Sequence, residues 1–298
     1  MTRVVVAGAG GQLGRELLRA DWSSGVEICP FTSAQLDISD RARVHAAITA
    51  ARPHVVINAA AYTAVDRAED EPERAMAVNG HAVGYLAEAA DDSDALFIHI
   101  SSDYVFDGSK SGWYLESDKP KPLGAYGRSK LVGEEAAAQA AKSVILRTAW
   151  VYGALGSNFV TSMLWLASER RELGVVSDQV GCPTAATDLA EAIMQLVVAT
   201  DGGTTSTPSA LYHLVSPEAA SWHEFALAVF GVSSAGFDGI CRELATDEYP
   251  TRAVRPANSR LDSSLIAHEL GIGLPSWRSS LPSVVAELET ARRDGQYA

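Results

Sequence analysis

Residues 4–17 read VVVAGAGGQLGREL, a β-branched run followed by three spaced glycines and then a stretch of helix formers. Three consecutive valines suit a buried strand. Gly8, Gly11 and Gly14 then fall at its end and across the start of the next helix. Glycine at such positions permits a tight turn and lets a pyrophosphate approach the backbone, while the helix N-terminus favours negative charge. The spacing G-x-x-G-x-x-G is weak on its own, because glycine-rich turns also simply join strands to helices. Its place between a strand and a helix makes this the expected dinucleotide site.

Outward from this turn the same rhythm repeats. Short β-branched runs stand at 3–8, 26–31, 54–60, 96–101 and 143–148, and Ala- and Leu-rich stretches long enough for helices lie at 40–51, 72–90 and 126–141. Near-continuous apolar strands separated by helices imply a parallel sheet covered on both faces, an α/β, Rossmann-like doubly wound architecture. From about residue 200 the rhythm fails. Residues 201–210 (DGGTTSTPSA) read as a loop, with helical patterns near 221–230 and 279–293. The expected division is a dinucleotide-binding domain over 1–155, to which the chain returns around 175–200, and a smaller α-rich substrate-binding domain made mainly of 156–298.

Composition narrows the partners. The chain has 298 residues, 24 Lys and Arg against 37 Asp and Glu, and a formal charge of −13. That balance argues against a nucleic-acid or anionic-membrane surface, so an anionic ligand needs a local basic pocket. Arg252, Arg255 and Arg260 fall within nine residues and supply one, since guanidinium groups pair bidentately with phosphate oxygens. Cys29, Cys182 and Cys241 lack the spacing of a zinc site or disulfide framework, which points to a reducing compartment. No apolar run reaches the length of a signal-peptide core or a membrane span, and the expected location is cytoplasmic.

The stretch AYGRSKLVGEE (125–135) puts Tyr126 four residues before Lys130, on one helix face. A free phenol has a pKa of about 10, and a nearby ammonium favours its ionised form. At the end of the fourth strand HISSDYVFDG (99–108) sets Ser101, Ser102 and Asp103 at the carboxyl edge of the sheet, where open α/β proteins bind ligands. A hydroxyl there can hydrogen-bond a carbonyl that Tyr126 protonates. His99, inside an apolar strand, reads as a core histidine, and Cys182 as packing.

Together with NAAAYTAVDRAE (58–69), RTAWVYG (147–153), DQVGCPT (178–184), YHL (212–214) and RPANSRL (255–261), these motifs resemble the extended short-chain dehydrogenase/reductases. Within that superfamily they are most similar to the dTDP-4-dehydrorhamnose reductase family, over nearly the whole chain. The resemblance implies NAD(P)H-dependent reduction at carbon 4 of a nucleotide sugar, dTDP-4-dehydro-L-rhamnose. Tyr126 is then the general acid, Lys130 lowers its pKa and holds the ribose, and Ser102 orients the keto oxygen. Gly8, Gly11, Gln12, Leu13, Asp37, Ile38, Ala59, Ala61 and Tyr62 match cofactor-lining positions. Thr63, Val65, Asp103, Tyr104, Trp150 and Arg255 match positions around the substrate, with Asn158 and Gln179 as weaker candidates.

Other readings stay open. After the second strand PFTSAQLDIS (30–39) offers Thr32 and Ser33 where a carboxylate would otherwise hold a ribose 2′-hydroxyl, which favours NADPH while NADH still fits. Asp37 and Ile38 are equally a polar turn and a core residue. Some family members are described as using Mg2+, for which Glu16 is a candidate, but no ligand set is assigned. A homodimer is compatible with the resemblance. The rival functions are a nucleotide-sugar epimerase or dehydratase, for which Asp103 beside Ser102 speaks, and a dinucleotide-binding regulatory subunit without turnover.

Overall fold

The computed structural model describes residues 1–200 and 209–293. The first half alternates strand and helix: β1 (Thr2–Ala7), α1 (Gln12–Arg19), β2 (Val26–Phe31), α2 (Arg41–Ala51), β3 (Val55–Asn58), the short α3 (Val65–Ala68) and α4 (Pro72–Met76), then α5 (Ala82–Asp92), β4 (Leu96–Ser102), α6 (Ala125–Ala137) and β5 (Ser143–Thr148). There follow β6 (Val151–Tyr152), α7 (Phe159–Glu169), β7 (Glu172–Val176), β8 (Val180–Gly181), β9 (Thr184–Ala185) and α8 (Ala186–Ala199). The remainder comprises β10 (Ala210–His213), β11 (Ala220–Ser221), α9 (Trp222–Val232), β12 (Ile240–Leu244), α10 (Ser264–Leu270) and α11 (Trp277–Arg293).

Six strands make one parallel sheet in the order β10-β5-β4-β3-β1-β2. The chain leaves β1 towards β2 and then returns across it to β3, β4 and β5, so the strand order reverses beside β1. At such a reversal the loops leaving the carboxyl ends of neighbouring strands diverge and open a crevice. One face of the sheet is covered by α1 and α8, burying Val4, Val6, Leu13, Leu17, Leu189 and Ile193. The other is covered by α2, α5 and the end of α6, around Val5, Ile48, Leu86, Phe97 and Ala137. A second apolar core lies where α7, α9 and α11 meet the parallel pair β7 and β12, around Tyr152, Phe225 and Trp277.

The structure departs from the sequence expectation in two places. The sheet takes a further strand, β10, after the point where the strand–helix rhythm was read as ending. That strand has four residues on the sheet edge and only Tyr212 and His213 are buried, too short a run to carry a strand signal. The expected helix over 72–90 is instead α4, a π-helical turn at Ala77–His81, and α5. The wide turn carries Asn79, whose side chain accepts from Tyr62 N at 2.8 Å and donates to Tyr62 O at 2.9 Å and Ser129 Oγ at 3.1 Å. The bulge thus aims a buried amide at its neighbours instead of following the helical repeat. The loop read at 201–210 lies outside the described residues up to 208. Among the described residues all three cysteines are free and no helix is long and apolar enough to cross a membrane.

The glycine turn is required by contact. Gly8 has φ +82°, and a Cβ on Gly14 would lie 2.2 Å from Gly8 O and 2.7 Å from Ala9 Cα. Both obstacles are backbone, so α1 would have to lift off β1. Gly14→Ala should destabilise the protein by about 1–3 kcal/mol, read as a lower Tm together with weaker dinucleotide binding. An unchanged Tm and affinity would contradict the close packing.

Candidate active site

The carboxyl ends of β1, β3 and β4 lie side by side in the sheet, and the segments that leave them carry many of the expected residues. Helix α6 starts at Ala125, whose N–H donates to Glu69 Oε1 at 2.7 Å. It lies close enough to the segment after β4 that a Cβ on Gly127 would stand 2.2 Å from Tyr104 O. Tyr126 and Lys130 are both buried. Ser102, the last residue of β4, donates from Oγ to Asp103 Oδ1 at 2.8 Å and accepts from Tyr104 N at 3.2 Å, and its hydroxyl stands near enough to the Tyr126 phenol to favour the phenolate. Tyr104 packs edge-on against the Tyr126 ring, with centroids 5.4 Å apart.

Electrostatics correct one expectation. Lys130 was expected to depress the Tyr126 phenol, but burial pushes that phenol up to about 12, with Asp103 adding to the rise and Ser102 opposing it. The lysine head is directed elsewhere: its Nζ donates to Ile100 O at 2.6 Å. Burial lowers Lys130 to about 8, while Glu134 favours its charged form. Burial also raises Asp103 to about 6, against the Ser102 and Ser259 hydroxyls. The site therefore holds a neutral phenol, an easily discharged ammonium and a carboxyl that keeps its proton to unusually high pH.

Behind these groups lies a buried ion pair. Glu134, one turn after Lys130, accepts at Oε1 from Ser101 Oγ at 2.5 Å and Arg147 Nε at 2.8 Å, and at Oε2 from Arg147 Nη2 at 2.6 Å. Arg147 Nη1 lies 3.5 Å from His213 Nε2, and His213 Nδ1 lies 3.1 Å from Tyr114 O. The pair ties α6 to β4 and β5. Breaking a buried pair leaves an uncompensated charge, so Glu134→Gln should cost about 3–5 kcal/mol. Adding Arg147→Met should recover much of that loss in denaturant unfolding; a fully stable single variant would contradict the role of the pair.

The remaining expected residues distribute as follows. Gln12 is half-buried and its Oε1 accepts from Asn158 Nδ2 at 2.9 Å, while Leu13 belongs to the core under the sheet. Thr32 faces Gly10 of the first turn, and Gln35 Oε1 accepts from its N–H and hydroxyl. Asp37 is exposed and held below the usual carboxylate range by the Ser39 hydroxyl and N–H, whereas Ile38 is core. Ala59 and Ala61 follow β3, and Tyr62, with its hydroxyl between Glu71 and Arg67, packs in one apolar cluster with Tyr126. Thr63 is exposed at the mouth and Val65 half-buried beside that cluster. Trp150 adopts φ 48°, and its indole stacks on Trp222 at 3.4 Å with 2° between planes. Gln179 Nε2 donates to Thr246 Oγ1 at 3.1 Å.

The three arginines do not form one pocket. Arg255 makes a bidentate pair with Asp66 at 3.1 and 2.6 Å, and Arg252 pairs with Asp70. Arg260 turns away to Asn258 and Ser111 O. Among the described residues no three His, Cys, Asp or Glu side chains stand close enough to hold a metal, and Glu16 is buried beside Arg19. His99 is a buried strand residue as expected, its Nδ1 3.2 Å from Asn58 Nδ2, though Nε2 has no partner. Sequence reasoning missed Asn79, Asp66, Glu134 and Trp222. Glu134 alone carried a signal, one helical turn past Lys130; the others meet the site only through long-range contacts.

Comparison with known proteins agrees with this geometry. The family model for the RmlD substrate binding domain matches residues 1–290. A dTDP-4-dehydrorhamnose reductase of Aggregatibacter actinomycetemcomitans is 42% identical over 295 residues, covering 97% of this chain and 100% of that protein. Among solved structures, one of a dTDP-4-dehydrorhamnose reductase from Clostridium acetobutylicum aligns with TM-score 0.90 at 35% identity, covering 97% of this chain and 100% of the other. That from Bacillus anthracis, in complex with NADP, gives TM-score 0.88 at 34% identity, covering 96% and 100%. With the match running nearly from end to end, the chain belongs to the RmlD substrate binding domain family.

Proposed function

We propose that this chain reduces the 4-keto group of dTDP-4-dehydro-L-rhamnose to give dTDP-L-rhamnose, using NADPH. The observation that carries the reading is the buried Tyr126 phenol beside the Ser102 hydroxyl at the carboxyl edge of the sheet, in a chain as long as relatives bearing that name. The glycine turn after β1 fits a dinucleotide: its positive-φ residue and close-packed helix leave backbone where side chains would stand. NADPH is favoured over NADH because no carboxylate follows β2 at Thr32 and Ser33, and because the Bacillus anthracis relative binds NADP. A bound reduced nicotinamide supplies the hydride. The substrate half of the crevice is drawn mainly from residues 156–298 with Thr63, Val65, Asp103, Tyr104 and Trp150.

Each residue then has a task. Tyr126, neutral at working pH, gives its proton to the oxygen that becomes the 4-hydroxyl. Ser102 positions that oxygen. Lys130 contributes positive charge beside the developing phenolate and N–H donors for the ribose hydroxyls to meet. Trp150, its face covered by Trp222, forms an apolar wall suited to the C–H face of a deoxysugar. Arg255 is the candidate for the diphosphate, which would share it with Asp66.

The test is to supply dTDP-4-dehydro-L-rhamnose with NADPH and follow loss of the reduced-nicotinamide absorbance, with the UDP sugar in parallel. Tyr126→Phe should lower turnover about 10²–10⁴-fold while NADPH still binds; unchanged turnover would defeat the assignment. Lys130 carries its proton below about pH 8 and loses it as pH rises through that value, so turnover should fall on the alkaline side, and Lys130→Met should be slow at every pH. Protein that purifies with tightly held oxidised dinucleotide and consumes no NADPH would favour an epimerase or dehydratase.

A further inference from the structure

The hydrogen bonds around Ser102 continue beyond it. The Ser102 hydroxyl faces the Tyr126 phenol, and Ser102 Oγ lies 2.8 Å from Asp103 Oδ1. All three side chains are nine-tenths or more buried, so bulk water does not reach the phenol freely. Asp103 is only 2% exposed, and its Oδ2 lies buried with no hydrogen bond, although the Ser259 hydroxyl is near enough to favour the ionised form. A buried carboxylate oxygen without a donor is costly, whereas a protonated carboxyl in the same place is not. The groups facing Asp103 are the Ser102 and Ser259 hydroxyls, the Tyr104 and Tyr126 phenols and the Cys182 thiol.

We propose that Asp103 is a proton-relay residue that restores the Tyr126 proton through the Ser102 hydroxyl during the reduction, an inference that rests on the reductase reading above. As the carbonyl is reduced, for which a bound reduced nicotinamide would supply the hydride, the Tyr126 O–H bond breaks and the sugar O–H bond forms. The phenolate oxygen takes the Ser102 hydroxyl proton, and Ser102 takes the carboxyl proton of Asp103. A protonated Asp103 donates to Ser102 at the start; at the end Ser102 donates to Asp103 Oδ1, the sense the structure has with the carboxylate, and solvent returns the proton when product leaves. One ketone, one reduced nicotinamide and one proton are consumed. The relay also gives a function to a buried acid that the Tyr–Lys–Ser set leaves unused.

The isosteric Asp103→Asn tests it, in the intact protein, by single-turnover reduction of dTDP-4-dehydro-L-rhamnose across pH. The wild-type rate should fall as pH rises through about 6, because the relay starts with Asp103 protonated. In the variant that limb should vanish and the rate should drop at least about tenfold, with NADPH affinity kept. A variant with the wild-type rate and an intact limb would overturn the relay. Should circular dichroism show the variant misfolded, a proton inventory on the wild type in H2O/D2O mixtures decides: a curved plot, from several protons in flight, supports the relay, and a straight one overturns it. A wild type that does not reduce this sugar defeats the reductase reading itself, whereas an active wild type with an unaffected variant defeats only the relay.

Discussion

A glutamate and an arginine with almost no solvent contact hold the reacting helix to the sheet. Glu134 sits on α6 one turn after Lys130, and its carboxylate meets both Arg147 on β5 and Ser101 on β4. Taking both charges out of water is expensive, and fork-to-fork geometry with a third donor offsets that cost. What the pair secures is register. Ser101 adjoins Ser102, so the bond that anchors Glu134 also sets the distance between the strand end bearing Ser102 and the helix face bearing Tyr126. On the other side Asn79 ties the loop after β3 to Ser129, so the three elements lining the crevice are fixed by buried polar contacts.

That frame gives the site its electrical character. The burial that secures α6 also raises Tyr126 and lowers Lys130, both away from their charged forms. A phenol that keeps its proton is suited to donating it at the instant an oxyanion forms, and no standing phenolate is needed. The lysine then matters most as a charge felt once the phenol begins to ionise. Asp103 follows the same physics: burial keeps it protonated to higher pH than an exposed aspartate.

Much of this could be read in the amino-acid string because it rests on local patterns. The valines and glycines of 4–17, the five apolar runs and the four-residue spacing of Tyr126 and Lys130 are short-range signals with one physical meaning each. What escaped depends on contacts distant in sequence. Strand β10 is recognisable only as a partner of β5, and the π-turn at 77–81 exists because Asn79 must reach Tyr62 and Ser129. Arg252, Arg255 and Arg260 lie within nine residues, yet Asp66 on α3 and Asp70 just after it draw two of them and the loop at 111 draws the third away. Trp222 was invisible because its partner Trp150 lies on another element. The tyrosine–lysine pair was read correctly as neighbours on one buried face but incorrectly in its effect on acidity, since the fate of the ammonium is decided by the Ile100 carbonyl.

The most direct measurement of the account is a crystal structure of the protein with NADP+ and dTDP-L-rhamnose bound together. The account predicts the nicotinamide C4 facing carbon 4 of the sugar, with Tyr126 and Ser102 both within hydrogen-bond distance of the 4-hydroxyl. A complex in which Tyr126 lies away from the pyridine ring, or in which the sugar occupies another part of the molecule, would contradict it.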